Sequence, residues 1–114
     1  MLNYPTKEHI KYYFSERDKV LQQKFYKAVL FQIFSQYFDL VMRKYDIFPG
    51  IQYYDDLKQD LQIHAYNNLS KIGNANDSNA FLITISKNVI INFLSINAKR
   101  QILPIESMEE FEGL

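Results

Sequence analysis

Cysteine is absent from this 114-residue chain. Its absence excludes a disulfide framework, a thiol nucleophile and a thiolate metal site, and fits a reducing cytoplasm. Glycine and proline number three each, too few for a fold of many tight turns, so long helices are expected. No uninterrupted apolar run reaches the span of a bilayer, and the opening residues, with Asn3, Lys7, Glu8 and His9, lack a signal-peptide pattern. No membrane partner is therefore expected. The two histidines, His9 and His64, have no Glu or second His one turn away, which is the spacing helical metal sites use. A Gly-rich phosphate loop and a nucleophile elbow are also missing. Arg17, Arg43 and Arg100 have no histidine within a turn or two, as some helical ribonucleases have. The reading is of a protein that is not an enzyme and uses no cofactor or metal.

Net charge is likewise absent, with 13 basic and 13 acidic side chains. The balance hides an asymmetry, because Glu106, Glu109, Glu110 and Glu112 fall in a tail without Lys or Arg. Residues 1–102 then form one domain with a modest basic excess, and 103–114 form an acidic tail or linker. Such an excess permits contact with nucleic acid without requiring it.

What is present is helical periodicity. Thr6, after Pro5, is a candidate N-cap for a short helix to about Ser15 with Ile10, Tyr13 and Phe14 inward. A long helix follows from near Asp18 to about Tyr45. Phe31, Phe34, Phe38, Val41 and Tyr45 form one stripe on it, and Leu30, Ile33, Tyr37 and Leu40 the next. An aromatic stripe at that spacing reads as core rather than as a base-stacking platform. Pro49-Gly50 marks the turn that ends it. The next helix opens at Asp55 or Asp56, either of which can cap it, and runs to about Ile72 with Leu57, Leu61, Ala65, Leu69 and Ile72 on one face. Gly73 stands where a left-handed residue stops a helix.

The loop Asn74 to Asn79 is polar, with Asp77 or Ser78 placed to cap a last helix that ends near Arg100 or Gln101. Leu82, Ile85, Val89, Phe93 and Ile96 are its expected inward face, and Lys99-Arg100 suit its C-terminal dipole. The β-branched content there also suits a strand, but about twenty residues without a breaker is too long for one. The fold class is therefore all-α, a small domain of about four helices.

Two stretches carry a family resemblance. Asp56-Leu57-Lys58-Gln59-Asp60 resembles the acidic-Leu-x-Gln-acidic opening of a region 2 helix in bacterial sigma factors, especially the extracytoplasmic-function type and its phage relatives. Phe81-Leu82-Ile83-Thr84-Ile85-Ser86-Lys87-Asn88 resembles the second signature, with Asn92 where an acid is usual. The likeness spans about residues 52–110, and the long aromatic helix would stand where region 2.1 does. Leu103-Pro104-Ile105-Glu106-Ser107 is similar to the start of the linker that follows.

The resemblance implies a transcription initiation subunit that binds RNA polymerase core, at a basic coiled coil of the largest-subunit clamp, through Asp56, Gln59, Asp60 and Ile63. Promoter DNA would meet Asn74, Asn76, Asp77, Ser78 and Asn79, with Asn88, Lys99 and Arg100 nearby on the same side. Carboxylates one turn apart suit an Arg-bearing helix, and Asn both donates to and accepts from base edges. The chain departs from the pattern in its few terminal arginines and in having no helix-turn-helix after region 2. A separate protein supplying that reading domain is thus a further implied partner. Two other readings stay open: a polymerase-binding decoy or adaptor that melts no DNA, and a helical interaction module outside transcription.

Overall fold

A computed structural model of the chain describes residues 2–99, with side chains as far as Asn97. Among the described residues every regular element is helical: α1 (Thr6–Ser15), α2 (Lys19–Phe25), a π-helical turn (Tyr26–Leu30), α3 (Phe31–Arg43), α4 (Tyr54–Asn67), α5 (Leu69–Asn74) and α6 (Ser78–Lys99). The fold is all-α.

Asp18 starts the long rod, its carboxylate accepting from the amides of Val20 at 2.9 Å and Leu21 at 3.2 Å. α2, the π turn and α3 then continue without leaving helical backbone angles. The rod stops earlier than Pro49-Gly50 suggests. Asp46 adopts φ 59°, its amide bonds the Arg43 carbonyl at 3.1 Å, and the Ile47 amide bonds the Met42 carbonyl at 3.0 Å. That is a Schellman ending, with buried Ile47 closing over Met42. An aspartate tolerates the left-handed angle because its short polar side chain can bond locally.

The core lies where α3 meets α4 and α6. Phe34, Tyr37, Phe38, Val41, Leu57, Leu61, Ile72, Leu82 and Ile90 are buried there in one contiguous cluster. The stripe Leu57, Leu61, Ala65, Leu69, Ile72 is inward throughout, although the helix that carries it breaks. Asn68 leaves helical angles (φ −114°, ψ 19°) and its side-chain amide donates back to the His64 carbonyl at 2.8 Å, so α4 ends and α5 begins anew. The start of α4 also differs from the sequence reading. Tyr53 stands at the cap without a side-chain bond, and Asp55 and Asp56 lie inside the first turn. Tyr54, buried and hydrogen-bonded to Asp39, pulls the helix start back by one residue.

Gly73 is helical and buried, not a left-handed stop. A Cβ there would meet Ile10 Cγ2 at 2.6 Å, so it is the close crossing of α1 over α5 that requires glycine. Phe14, expected inward, is 54% exposed, with the Tyr13 ring edge-on against it. Phe31, at the margin of the buried arc, is also largely exposed.

On α6 the buried seam is Leu82, Ser86, Ile90, Leu94 and Asn97, rotated roughly a quarter turn from the expected face. Ile85, Val89 and Phe93 flank it and Ile96 is exposed. With apolar residues around most of the helix, its wheel alone does not choose a face. Ser86 can lie inside because its hydroxyl donates to the Leu82 carbonyl at 2.7 Å. The expectation that no segment could span a bilayer needs amending. Ser78–Asn97 has a mean hydropathy of 1.4 and the length to cross one. In this fold that helix packs against α1, α3, α4 and α5, and core helices commonly share those properties.

Candidate functional site

α4 presents the four residues that the first sigma-like stretch singles out. Asp56, Gln59, Asp60 and Ile63 are all exposed and follow one another by a turn or less along one ridge. The inward side chains Leu57, Leu61 and Ala65 hold that ridge outward. None of Asp56, Gln59 or Asp60 has a hydrogen-bond or ion-pair partner among the described residues. The cation within the same stretch, Lys58, turns to α3 instead, where it pairs with Asp39 at 3.1 Å and lies over the Tyr54 ring. The ridge therefore keeps its negative charge, with Asp55 adding to it at the same helix end. Burial, then the hydrogen bond to Asp39, raises the Tyr54 phenol above its ordinary pKa, so it stays a neutral donor to that carboxylate.

A groove opens on each side of the ridge. Toward α3 lies one of about 650 Å³, walled by Phe31, Gln62, Ile63 and Tyr66, with Tyr26 at its floor. Toward α6 lies one of about 510 Å³, where Asp60, Ile63, His64 and Asn67 face Asn88, Val89 and Asn92. Asn88 thus lies across this groove from the α4 ridge. A helix rises about 1.5 Å per residue, which sets Asn88 roughly 15 Å and Lys99 roughly 31 Å along α6 from Ser78. The loop, Asn88 and the helix end are thus spread along the length of α6. The Lys99 side chain and Arg100 lie outside the described residues, as does the acidic segment 103–114.

The connecting loop is shorter and more committed than its composition suggests. Asn74 closes α5, exposed, with its amide 3.5 Å from the Ser70 hydroxyl. Asn76 is exposed and has no side-chain partner among the described residues. Asp77 caps α6 by accepting from the Ala80 amide at 3.1 Å. Ser78 is buried, and its hydroxyl donates to the Ile72 carbonyl at 2.8 Å. Asn79 donates to the Tyr4 carbonyl at 2.9 Å and accepts from the Thr6 hydroxyl.

No family model, curated protein or solved structure matches this chain.

The ridge, the grooves on either side of it and the Asn74–Asn76 corner are the surface features that bear on a partner. Sequence reasoning passed over Asn67, on the α6 side of the ridge, and the pair Tyr26 and Gln62, and weighed His64 only as a metal ligand. Asn88 and Asn92, one turn apart, were the local signal for that groove. Nothing near Asn79 in sequence announces Tyr4 or Thr6, which reach it from the other end of the chain.

Proposed function

We propose that the chain is a sigma-like subunit that engages RNA polymerase core through the ridge Asp56, Gln59, Asp60 and Ile63. The observation that carries this reading is that Asp56, Gln59 and Asp60 have no side-chain partner among the described residues. Uncompensated carboxylates one turn apart, with an exposed isoleucine beside them, suit a basic helix that brings Arg to the acids and an apolar side chain to Ile63. Promoter DNA then meets the polar face of α6, through Asn88 and Asn92, and the exposed Asn74 and Asn76, where amides can both donate and accept. Lys99 and Arg100 supply phosphate contact that weakens with salt.

A second reading, a polymerase-binding adaptor that melts no DNA, is favoured by one specific feature. Ser78 and Asn79 spend their side chains inside the fold, which leaves fewer loop groups to capture an unstacked base. The two readings part in an open-complex assay with core polymerase, the full chain and native promoter DNA. Strand opening that depends on Asn76, and is lost or redirected in Asn76→Ala while core binding persists, supports the initiator. Core binding without opening on any native promoter, accessory proteins included, leaves the adaptor.

A further inference from the structure

The groove between α3 and α4 has features that a solvent-exposed seam between helices does not need. Tyr26 and Gln62 are each more than nine-tenths buried in its wall, yet the Tyr26 hydroxyl and Gln62 Oε1 have no hydrogen-bond partner among the described residues. Native folds leave few such groups, because each has given up water for nothing. The roles of the two are fixed by their surroundings. Gln62 Nε2 donates to the Phe31 carbonyl at 3.1 Å, and a carbonyl can only accept, so Oε1 is the free acceptor. Burial, with Tyr66 and Tyr13 close by, pushes the Tyr26 phenol well above its ordinary range and keeps it a donor. Tyr26 also begins the π-helical turn, a distortion frequent at functional sites.

The walls add shape and charge. Phe31, Ile63 and Tyr66 are 40%, 52% and 44% exposed around the groove. The Tyr66 ring stands edge-on to Tyr26 with centroids 5.1 Å apart, and its hydroxyl accepts from Gln23 Nε2 at 3.4 Å. The Tyr26 hydroxyl and Gln62 Oε1 are covered in the unbound fold, so a ligand reaches them only by displacing that cover. Lys58 is taken by Asp39 and Asp55 has no cation partner among the described residues. An anion, a nucleotide included, is repelled from that end. The volume, about 650 Å³, falls in the range of small-molecule pockets between helices.

We propose that this groove binds a flat, uncharged heterocycle that accepts from the Tyr26 hydroxyl, donates to Gln62 Oε1 and packs its ring against Phe31 and Tyr66. The experiment is an NMR titration of the full-length, isotope-labelled protein with 7-azaindole, which carries one N–H donor and one ring-nitrogen acceptor. Indole, which keeps the donor and lacks the acceptor, is the comparison. Saturable shifts at Phe31, Gln62, Ile63 and Tyr66 are expected, with indole bound about three- to tenfold more weakly. Tyr26→Phe should lower 7-azaindole affinity by about the same factor and leave indole unchanged. The same substitution should raise the thermal midpoint, since it deletes an unpartnered hydroxyl. Gln62→Leu should weaken both compounds. Absence of saturable shifts in the groove at millimolar 7-azaindole overturns the proposal. So does binding that neither Tyr26→Phe nor Gln62→Leu alters, including binding in which the groove serves only as a generic apolar surface.

Discussion

Replacing Gly73 by alanine tests the packing of α1 on α5. The added methyl would stand 2.6 Å from Ile10 Cγ2, well inside contact distance. Ile10 is only 1% exposed and cannot swing out. Overpacking of this kind costs roughly 1–3 kcal/mol. Against it stands the usual helical gain of Gly→Ala, about 0.5–1 kcal/mol, because Gly73 already has helical backbone angles. The net expectation is a loss on the order of 1 kcal/mol. A double-mutant cycle isolates the cause. Ile10→Ala alone costs about 2–5 kcal/mol but removes the clashing methyl, so Gly73→Ala in that background should stabilise by roughly 0.5–1 kcal/mol. Urea unfolding followed by far-ultraviolet circular dichroism on the four proteins reads the sign reversal. An equal loss in both backgrounds would instead mean a left-handed residue at 73 and refute the reasoning.

Further consequences follow from the same interactions. Asp18→Ala should cost about 1 kcal/mol in urea melts, since two amides at the start of the long rod lose their acceptor. Ser78→Ala should destabilise by roughly 1–2 kcal/mol, as the Ile72 carbonyl loses its buried donor; a variant as stable as wild type argues against that bond. Stability should fall as pH rises past 10.0, the ordinary tyrosine value. Tyr26 stays protonated in the fold while the unfolded chain releases its proton, so unfolding is favoured until the raised folded value is reached. Tyr26→Phe should make the melting profile above that pH shallower, and an unchanged slope would mean the phenol is not buried as described.

Much of the helical layout can be read from periodicity alone, because it depends on spacing along one element. The Asp18 start, the inward run from Leu57 to Ile72 and the Asp77 cap all belong to that kind, whereas Thr6 is not the expected N-cap: Pro5 stands there, and the buried Thr6 hydroxyl donates to Asn79 instead. What cannot be read this way depends on neighbours distant in the chain. Gly73 is glycine because of Ile10, sixty-odd positions away, and Asn79 is held by Tyr4 and Thr6. α6 is apolar on most sides, so its buried seam was chosen by α3 and α4 rather than by its own pattern. The ridge on α4 was legible because its residues share a face within a few turns. The α3–α4 groove was not, since Tyr26 and Gln62 are ordinary core candidates until both elements are in place.

The most direct test of the central claim is the equilibrium affinity of the purified chain for core RNA polymerase from its native cell. It should be measured by fluorescence anisotropy for wild type and for Asp56→Arg with Asp60→Arg. Both carboxylates are exposed and unpaired among the described residues, so the double reversal should cost only about 1 kcal/mol, from Asp56 in the first turn of α4. Placing two cations against a basic partner should nevertheless weaken binding on the order of 100-fold. A wild-type chain that does not bind core, or a folded double variant that binds it equally well, contradicts the account.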